Sequence, residues 1–371
     1  MHRYDPAQTY DWNYAHAPEP AEIDVPPLVG RWEFCGLPVD SPLGVAAGPL
    51  LNGRWVRYYA ALGFDVLTYK TVRSVERACY GMPNLVPVDV GSMRGDERQV
   101  RRAATMRGSW AVSFGMPSKR PDVWRADVEE TRRLLPPGKV LVVSVVATEQ
   151  PGWTLDQLAD DYARCAAWAV ESGADAVEAN FSCPNVCTAD GQLYQHPREA
   201  AVCAARVREA IGPRTPLLVK AGHVRNVDEA EALVEALGPH ADALSMTNSL
   251  ATRVVDADER LLFDGQPRGI CGAAILEPSI AQVRLLRQIV TRPLLASATR
   301  RVMEHLGTRP PDEVLAAASE PRRPLRLIGV GGAFSADDVK RYLVAGAEGV
   351  HLATAAMLDP GIALKIRRTW G

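Results

Sequence analysis

One local pattern recurs four times along this chain and constrains its fold more than any other feature. Each copy is a helix-like stretch that closes on a small residue and Gly, followed after a couple of residues by a short apolar strand. The copies are AALGFDVLTYKT (60–71), ESGADAVEANFS (171–182), EALGPHADALSMTN (235–248) and VAGAEGVHLAT (344–354). Glycine adopts the left-handed conformation without steric cost, so it suits the residue that ends a helix. The glycines at these helix ends are Gly63, Gly173, Gly238 and Gly346. The pattern predicts helices that alternate with strands.

Four further apolar runs bring the predicted strands to eight. They are LGVAAG (43–48), VLVVSVVA (140–147), PLLVK (216–220) and LRLIGVGG (325–332). The clearest helix lies over 154–172, where Thr154 and Gln157 form a capping-box signature. Eight strands separated by helices are typical of an α/β protein with a (β/α)8 TIM barrel, and a doubly wound open sheet is the structural alternative.

Polar or glycine residues at the strand ends favour the barrel, because the carboxyl ends of barrel strands converge on the face that carries the active site. These residues are Gly48, Lys70, Thr71, Asn180, Ser182, Lys220, Thr247, Asn248, Gly331, Gly332 and Thr354. We expect an N-terminal arm over residues 1–30 and one barrel domain over 31–371. Two stretches, 73–138 and 249–326, exceed a simple βα unit, and we expect insertions over the C-terminal face. The second should contain a helix around 278–290 and a surface loop at 308–324.

Charge and composition exclude several classes of protein. Lys plus Arg number 42 against 44 Asp plus Glu, a net charge of −2 that does not favour nucleic acid or anionic lipid as a partner. No apolar run approaches the ~20 residues of a membrane span, and the first residues carry charge and Pro where a signal peptide needs an apolar stretch. Seven cysteines without a CxxC pair predict neither a disulfide framework nor a metal site. We therefore expect a cytoplasmic protein.

The segment IGVGGAFS (328–335) ends the seventh predicted strand and is a candidate phosphate site. Backbone amides of Gly331 and Gly332 can approach an anion closely, and the Thr354 hydroxyl after the eighth strand can donate as well. A tight turn that needs glycine for backbone reasons alone is the alternative. Its position in the seventh of eight strands favours phosphate binding.

The segment ANFSCPNV (179–186) ends the fourth predicted strand. Pro184 cannot continue a central strand, so the chain leaves the sheet here and presents Asn180, Cys183 and Asn185 at the barrel mouth. A thiol beside two asparagines that can hold an amide or carboxylate can serve as a proton acceptor. A buried structural cysteine is the alternative.

Lys70 and Lys220 both end apolar strands. An ammonium group near the N1 and C2 carbonyl of a flavin would stabilise the anionic reduced ring. A Schiff-base lysine and a structural lysine that extends its charge to solvent are the alternatives. His351, inside the eighth strand, is assigned a structural role, and no two histidines have the spacing of metal ligands.

Nine motifs, taken together, resemble the dihydroorotate dehydrogenase family, specifically its soluble class with a cysteine base. The resemblance covers roughly residues 32–368, with the motifs in family order and spacing. They are SPLGVAAG (41–48), TYKTV (68–72), FGMP (114–117), ANFSCPN (179–185), PLLVK (216–220), TNS (247–249), GICGAAILEP (269–278), IGVGG (328–332) and AT (353–354).

The resemblance implies an FMN-binding barrel that removes a proton from C5 of dihydroorotate with Cys183 while the C6 hydride passes to flavin N5. It also implies that Lys70 contacts both flavin and substrate. The implied cofactor contacts are Ala47, Gly48, Lys70, Thr71, Asn180, Lys220, Gly272, Gly331, Gly332, Ala353 and Thr354. The implied substrate contacts are Lys70, Ser113, Phe114, Gly115, Met116, Asn180, Asn185, Asn248 and Ser249. It further implies a homodimer that passes electrons to a soluble acceptor of the fumarate type, or to a partner reductase, rather than to a membrane quinone.

Two departures from the family pattern concern the substrate. Val112 stands where the family usually has an Asn that binds the pyrimidine, and losing a buried hydrogen-bond partner costs about 1–3 kcal/mol. The loop VCTADGQLYQ (186–195) also differs from the Pro- and Gly-rich sequence common there. The alternatives are a related flavoenzyme for another small cyclic substrate in specialised metabolism, a flavin-free barrel lyase or aldolase that uses Lys70 or Lys220, and a non-enzymatic scaffold.

Overall fold

A computed structural model describes residues 1–182, 184–188, 191–291 and 325–370, with the backbone alone described at 184–188 and 191. The predicted surface loop at 308–324 lies outside these ranges. The strands are β1 (Trp32–Phe34), β2 (Leu37–Val39), β3 (Leu43–Val45), β4 (Val66–Val72), β5 (Leu85–Asp89), β6 (Gln99–Arg102), β7 (Ser109–Val112), β8 (Val140–Val145), β9 (Ala176–Asn180), β10 (Pro184–Thr188), β11 (Gly191–Gln192), β12 (Leu217–Lys220), β13 (Ala243–Met246), β14 (Leu250–Val255), β15 (Arg268–Gly272), β16 (Arg326–Val330) and β17 (Gly349–Leu352). The helices are α1 (Tyr10–Ala15), α2 (Gly53–Ala61), α3 (Pro121–Leu134), α4 (Leu155–Glu171), α5 (Pro197–Ile211), α6 (Val227–Leu237), α7 (Leu276–Thr291), α8 (Ala336–Ala345), α9 (Thr354–Leu358) and α10 (Ile362–Arg368).

Eight parallel strands close into a barrel in the order β12-β13-β16-β17-β3-β4-β8-β9. Each corresponds to one of the eight apolar runs in the sequence, so the predicted TIM barrel is confirmed. The predicted capping box is also present, with the Thr154 hydroxyl accepting from the Gln157 backbone and the Gln157 side chain accepting from the Thr154 backbone.

The glycines after the helices behave as predicted at three of four positions. Gly63, Gly173 and Gly346 have φ of +92°, +94° and +109°. The prediction was wrong at Gly238, which is right-handed with φ −54° and ψ −34°. There the chain continues in a turn through Pro239, and the backbone amides of His240 and Ala241 both donate to Leu237 O. The helix therefore ends without a left-handed residue.

The amino-terminal end of the barrel is closed by the β1–β2 hairpin. Phe34 packs with the first residues of the barrel strands, such as Val66 and Val140, and stacks on the His351 ring at 5.5 Å. His351 is buried inside the barrel, and a Cβ on Gly44 of the neighbouring strand would collide with its ring. The histidine therefore fills interior volume, as its predicted structural role requires.

The two insertions combine into a second, smaller sheet. Strands β5, β6 and β7 from the first insertion and β14 and β15 from the second close into a five-stranded barrel in the order β14-β15-β7-β5-β6. Its apolar core includes Val88, Val100, Ala111, Val254 and Ile270. Strand signals in 73–138 were visible in the sequence, but pairing between the two insertions was not predicted.

The N-terminal arm is docked on the barrel rather than extended throughout. Helix α1 begins after Thr9, whose hydroxyl accepts from Trp12 N at 3.1 Å. Buried Asn13 ties the arm together by accepting from Asp5 N at 2.8 Å, and its carbonyl accepts from Trp55 Nε1 of α2 at 3.0 Å. The sequence predicted no helix here.

Within the described ranges no helix is long and apolar enough to cross a membrane. The same residues contain no group of three or more His, Cys, Asp or Glu arranged to hold a metal ion.

Candidate active site

The two strand-end lysines are both buried at the carboxyl end of the barrel. Lys70 near the end of β4 is 7% exposed, and Lys220 at the end of β12 is 4% exposed. Burial and, to a smaller extent, the positive charge of Lys220 lower the pKa of Lys70 to about 8. The structure therefore brings two ammonium groups into one electrostatic site, as the sequence predicted from their strand-end positions.

The surroundings of Lys70 are aromatic. Its Nζ lies 4.9 Å from the centre of the Phe114 ring and 5.8 Å from that of Tyr10. Phe114 comes from the first insertion and Tyr10 from the arm, and the two rings meet edge to face at 6.1 Å. Tyr10 was not predicted as a site residue, because nothing in the arm's sequence indicates which barrel strand it covers.

Lys220 faces a carboxylate. Its Nζ lies 3.9 Å from Oε1 of Glu178, which is 0% exposed and stands two residues before Asn180 in β9. Both carboxylate oxygens of Glu178 have no hydrogen-bond partner among the described residues. Glu178 was not predicted as a site residue, although side chains two apart in a strand share a face and Asn180 was already a candidate.

Asn180 joins three strand ends and the first insertion. Its Nδ2 lies 3.5 Å from Thr71 Oγ1 and 3.4 Å from Met116 Sδ, and the Thr71 hydroxyl lies 3.0 Å from Ser144 Oγ. The other side of the amide is fixed, since Oδ1 accepts from the backbone and hydroxyl of Ser182. The predicted contacts Thr71, Asn180 and Met116 are thus together.

The segment 113–116 leaves β7 and lies over the barrel mouth. Ser113 Oγ accepts from Arg268 Nε at 2.9 Å, and Met116 O accepts from Arg73 Nε at 3.1 Å. Gly115 and Met116 have φ of +72° and +50°, the left-handed turn that aims the Met116 sulfur at Asn180. Val112, the last residue of β7, is half-buried.

Asn248 and Ser249 follow β13 and are half-buried. The Asn248 backbone donates to Ala221 O at 3.1 Å, which places it beside the end of β12, and its carbonyl accepts from Cys271 Sγ at 3.7 Å. Burial raises the pKa of Cys271 to about 12, although Lys220 lowers it in part. Cys271, which was not predicted, is therefore a neutral thiol at this site.

Protein contacts explain three of the candidate glycines. A Cβ on Gly331 would lie 2.6 Å from Ser279 Oγ, and one on Gly332 would lie 2.6 Å from Leu276 N, both at the start of α7. A Cβ on Gly272 would collide with Gly108 O of the first insertion. Gly48 differs, because a Cβ there meets nothing within 4 Å. Buried Thr354 and half-buried Ala353 follow β17, the neighbour of β16.

Cys183, the candidate base, lies outside the described residues, as does the side chain of Asn185. The backbone at 184–188 forms β10, which pairs antiparallel with β11 in a hairpin after β9. The chain therefore leaves the barrel at the position predicted from Pro184.

Comparisons with known proteins give relatives over most of the chain. No protein-family model matches it. A dihydroorotate dehydrogenase of Dictyostelium discoideum is 29% identical over 90% of this chain and 86% of that protein. The catalytic subunit of dihydroorotate dehydrogenase B (NAD(+)) from Desulforudis audaxviator is 28% identical over 90% of this chain and 88% of that protein. A crystal structure of DHODH from Eimeria tenella in complex with ferulenol matches with a TM-score of 0.69 and 16% identity, covering 97% of this chain and 88% of the other.

Proposed function

We propose that this chain, a homologue of the dihydroorotate dehydrogenases over 90% of its length, is an FMN-dependent oxidoreductase that oxidises dihydroorotate to orotate. The observation that carries the proposal is the pair of buried lysines beside the network of Asn180, Thr71 and Ser144 at the barrel mouth. This arrangement offers positive charge and amide donors to an anionic, amide-rich ring.

The residues at the mouth fit a flavin. Lys220 brings a buried ammonium to a strand end with only a carboxylate at 3.9 Å as its partner among the described residues. A cation in that position suits the anionic reduced ring, because it stabilises charge near N1 and the C2 carbonyl. Gly48 leaves open space in the loop after β3, where a planar ring can approach the backbone. When bound, the flavin supplies the hydride acceptor.

The phosphate of FMN is assigned to the loops after β16 and β17. These strands are neighbours in the barrel, so Gly331, Gly332, Ala353 and Thr354 lie on adjacent loops. Backbone amides and the Thr354 hydroxyl are suitable donors for a phosphate. The glycine contacts with α7 fix the loop that would carry these amides.

This chain's own residues orient the substrate and take its proton. Asn180 is held by Ser182 with its amide nitrogen directed toward Thr71, and Asn185, Asn248 and Ser249 complete the set of polar substrate contacts. Lys70 supplies a positive charge for the substrate's carboxylate. We assign the removal of the C5 proton to Cys183, by the resemblance of ANFSCPN (179–185) to the family's motif and because a cysteine thiolate can accept a proton.

The proposal extends to the electron acceptor, the cellular location and the oligomeric state of the enzyme. The Desulforudis relative is named as a catalytic subunit of an NAD(+) enzyme, which supports either a partner reductase or a soluble acceptor for this chain. None of the five cysteines whose side chains are described forms a disulfide, in keeping with a cytoplasmic enzyme. We propose a homodimer by analogy with the family.

Anaerobic mixing tests the reaction directly. Protein reconstituted with FMN should show flavin absorbance that bleaches on addition of dihydroorotate, and Cys183→Ala should slow the bleaching by about 10²- to 10⁴-fold, the usual contribution of a general base. Cys203→Ala, at a buried cysteine of α5, is the matched control and should bleach at the parent rate. Bleaching by another dihydro compound alone would reject the substrate, and a protein that binds no flavin would reject the proposal.

A further inference from the structure

The carboxylate of Glu178 lies inside the barrel beneath the proposed flavin site, where an unpaired charge is costly. It is fully buried, with both oxygens lacking a hydrogen-bond partner among the described residues. Its only ion-pair contact in those ranges is Lys220 Nζ at 3.9 Å. The layer of the barrel interior below it is filled by apolar residues.

The other neighbours of Lys220 carry no negative charge. Lys220 pairs in register with Asn180 on one side and Ser245 on the other, and both side chains are neutral. Below it, burial and the Lys220 charge lower the pKa of His351 to about 3, so that imidazole is neutral at working pH. Burial likewise keeps Cys271 a neutral thiol. Glu178 is thus the one group, among those described around Lys220, that can offset its positive charge.

The separation of the pair indicates how it acts. At 3.9 Å the two groups are too far apart for a hydrogen bond, so Glu178 does not hold the ammonium in one orientation. The charge interaction is nevertheless strong, because it operates in a region of low dielectric. Lys220 is buried whether or not Glu178 is present. The Glu178 carboxylate instead lowers the net positive charge next to a bound flavin ring.

We propose that Glu178 acts through Lys220, by offsetting the charge of its ammonium group, and thereby sets the electron affinity of the bound flavin. The inference rests on the proposed function, since it requires a flavin beside Lys220. With Glu178 ionised, the site stabilises the reduced, anionic ring less than Lys220 alone would. The electron affinity of the cofactor is thereby lowered, which favours passing electrons onward.

Sulfite provides a readout that does not depend on turnover. It adds to N5 of oxidised flavins, bleaches them, and leaves negative charge on the ring, so its dissociation constant reports the positive charge nearby. Glu178→Gln keeps the shape and removes the charge, and it should tighten sulfite binding by about tenfold or more. Glu178→Asp keeps the charge and should stay within about threefold of the parent.

Glu348→Gln is the matched control. Glu348 is also a shielded carboxylate paired with a cation, Arg326 Nε at 2.8 Å, but it precedes β17 at the opposite end of the barrel. Its loss should leave sulfite affinity unchanged. Unchanged or weaker sulfite binding by flavin-loaded Glu178→Gln would overturn this inference alone. Absence of flavin from the reconstituted parent protein would overturn the proposed function as well.

If Glu178→Gln does not fold, a second comparison decides the matter. Lys220→Met leaves Glu178 buried without its partner, whereas the double variant Glu178→Gln, Lys220→Met has neither charge. We expect the double variant to melt at a higher temperature than Lys220→Met, because breaking a buried pair costs more than replacing it. A double variant that melts at the same or a lower temperature would show that Glu178 carries no costly unpaired charge once Lys220 is gone, and would overturn the inference.

Discussion

Lys70 and Lys220 are both lysines at the carboxyl ends of barrel strands, yet their surroundings differ. Lys70 is enclosed by rings from the arm and the first insertion, and no described carboxylate pairs with it. Lys220 is enclosed by the barrel itself and has Glu178 at 3.9 Å. Elements added to the barrel thus build one half of the site, and the barrel strands build the other.

This difference assigns different tasks to the two halves. An ammonium without an internal counterion is available to an anionic ligand, so the Lys70 half suits the carboxylate of the substrate. An ammonium with an internal counterion has its positive charge partly neutralised within the protein. The Lys220 half therefore suits a cofactor that stays bound. Specificity then depends on the insertions and the arm together with the polar substrate contacts at the strand ends, while redox chemistry depends on the barrel.

Matched substitutions provide the strongest test of this division. Lys70→Met should weaken orotate binding at least about 30-fold, as expected when one partner of a buried charge pair is removed. Lys220→Met should weaken sulfite binding at least about tenfold and change orotate affinity less than threefold. Spectral titration of the flavin measures both ligands. Lys365→Met, at a surface lysine paired with Asp359, is the control. Equal effects of both variants on both ligands would contradict the division.

The pH dependence of orotate binding tests the Lys70 half by itself. Because the pKa of Lys70 is lowered to about 8, the ammonium loses its proton as pH rises through that value. Orotate affinity should fall about tenfold from about pH 7 to about pH 9. Lys70→Arg should remove this decline, since a guanidinium stays charged throughout. A decline of the same size in Lys70→Arg would assign it to another group.

Val112 tests whether the first insertion sets substrate preference. It stands just before Ser113 and Phe114, whose ring covers Lys70. Val112→Asn should raise kcat/KM for dihydroorotate about tenfold, the value of one buried hydrogen bond. Val112→Leu supplies no amide and should give no gain. If turnover by Val112→Asn is unchanged or lower, the interpretation of this position is wrong.

The arm should have the smallest effect. Tyr10 shields Lys70, so Tyr10→Ser should admit water and raise the pKa of Lys70, shifting the decline in orotate binding to higher pH by about half a unit. Tyr10→Phe keeps the ring and should leave the profile in place. A profile that does not move in Tyr10→Ser would show that the arm covers the site without tuning it.

The features that could be predicted from the sequence are those specified by residues close together along the chain. The eight barrel strands were predictable because each is a short apolar run with local signals beside it: seven end on a polar or glycine residue, and four follow a glycine at the end of a helix. Lys70, Asn180 and Lys220 were predictable for the same reason, since a strand end in a barrel faces the site.

The features that were missed depend on contacts between distant segments. Strand β7 pairs with β15, with Ser109 opposite Gly272, and nothing local in either insertion specifies that partner. Helix α1 has six residues and is held to α2 by a hydrogen bond that Trp55 Nε1 donates to the Asn13 carbonyl. Gly238 resembles the other helix-ending glycines in sequence, and only the following proline distinguishes its turn. Glu178 was hidden within an otherwise apolar run.

The five-stranded barrel also constrains the order in which the protein folds. Its strands come from residues 85–112 and 250–272, so during synthesis β5, β6 and β7 emerge long before β14 and β15. Between them the ribosome makes four of the eight strands of the large barrel. Because contacts between distant segments form slowly, the small barrel closes late, and its exposed strand edges need protection until then. The large barrel closes later still, because β16 and β17 follow residue 272 and β17 pairs with β3 near the start of the chain. The half of the site that selects the substrate can therefore form before the loops after β16 and β17, to which the FMN phosphate is assigned.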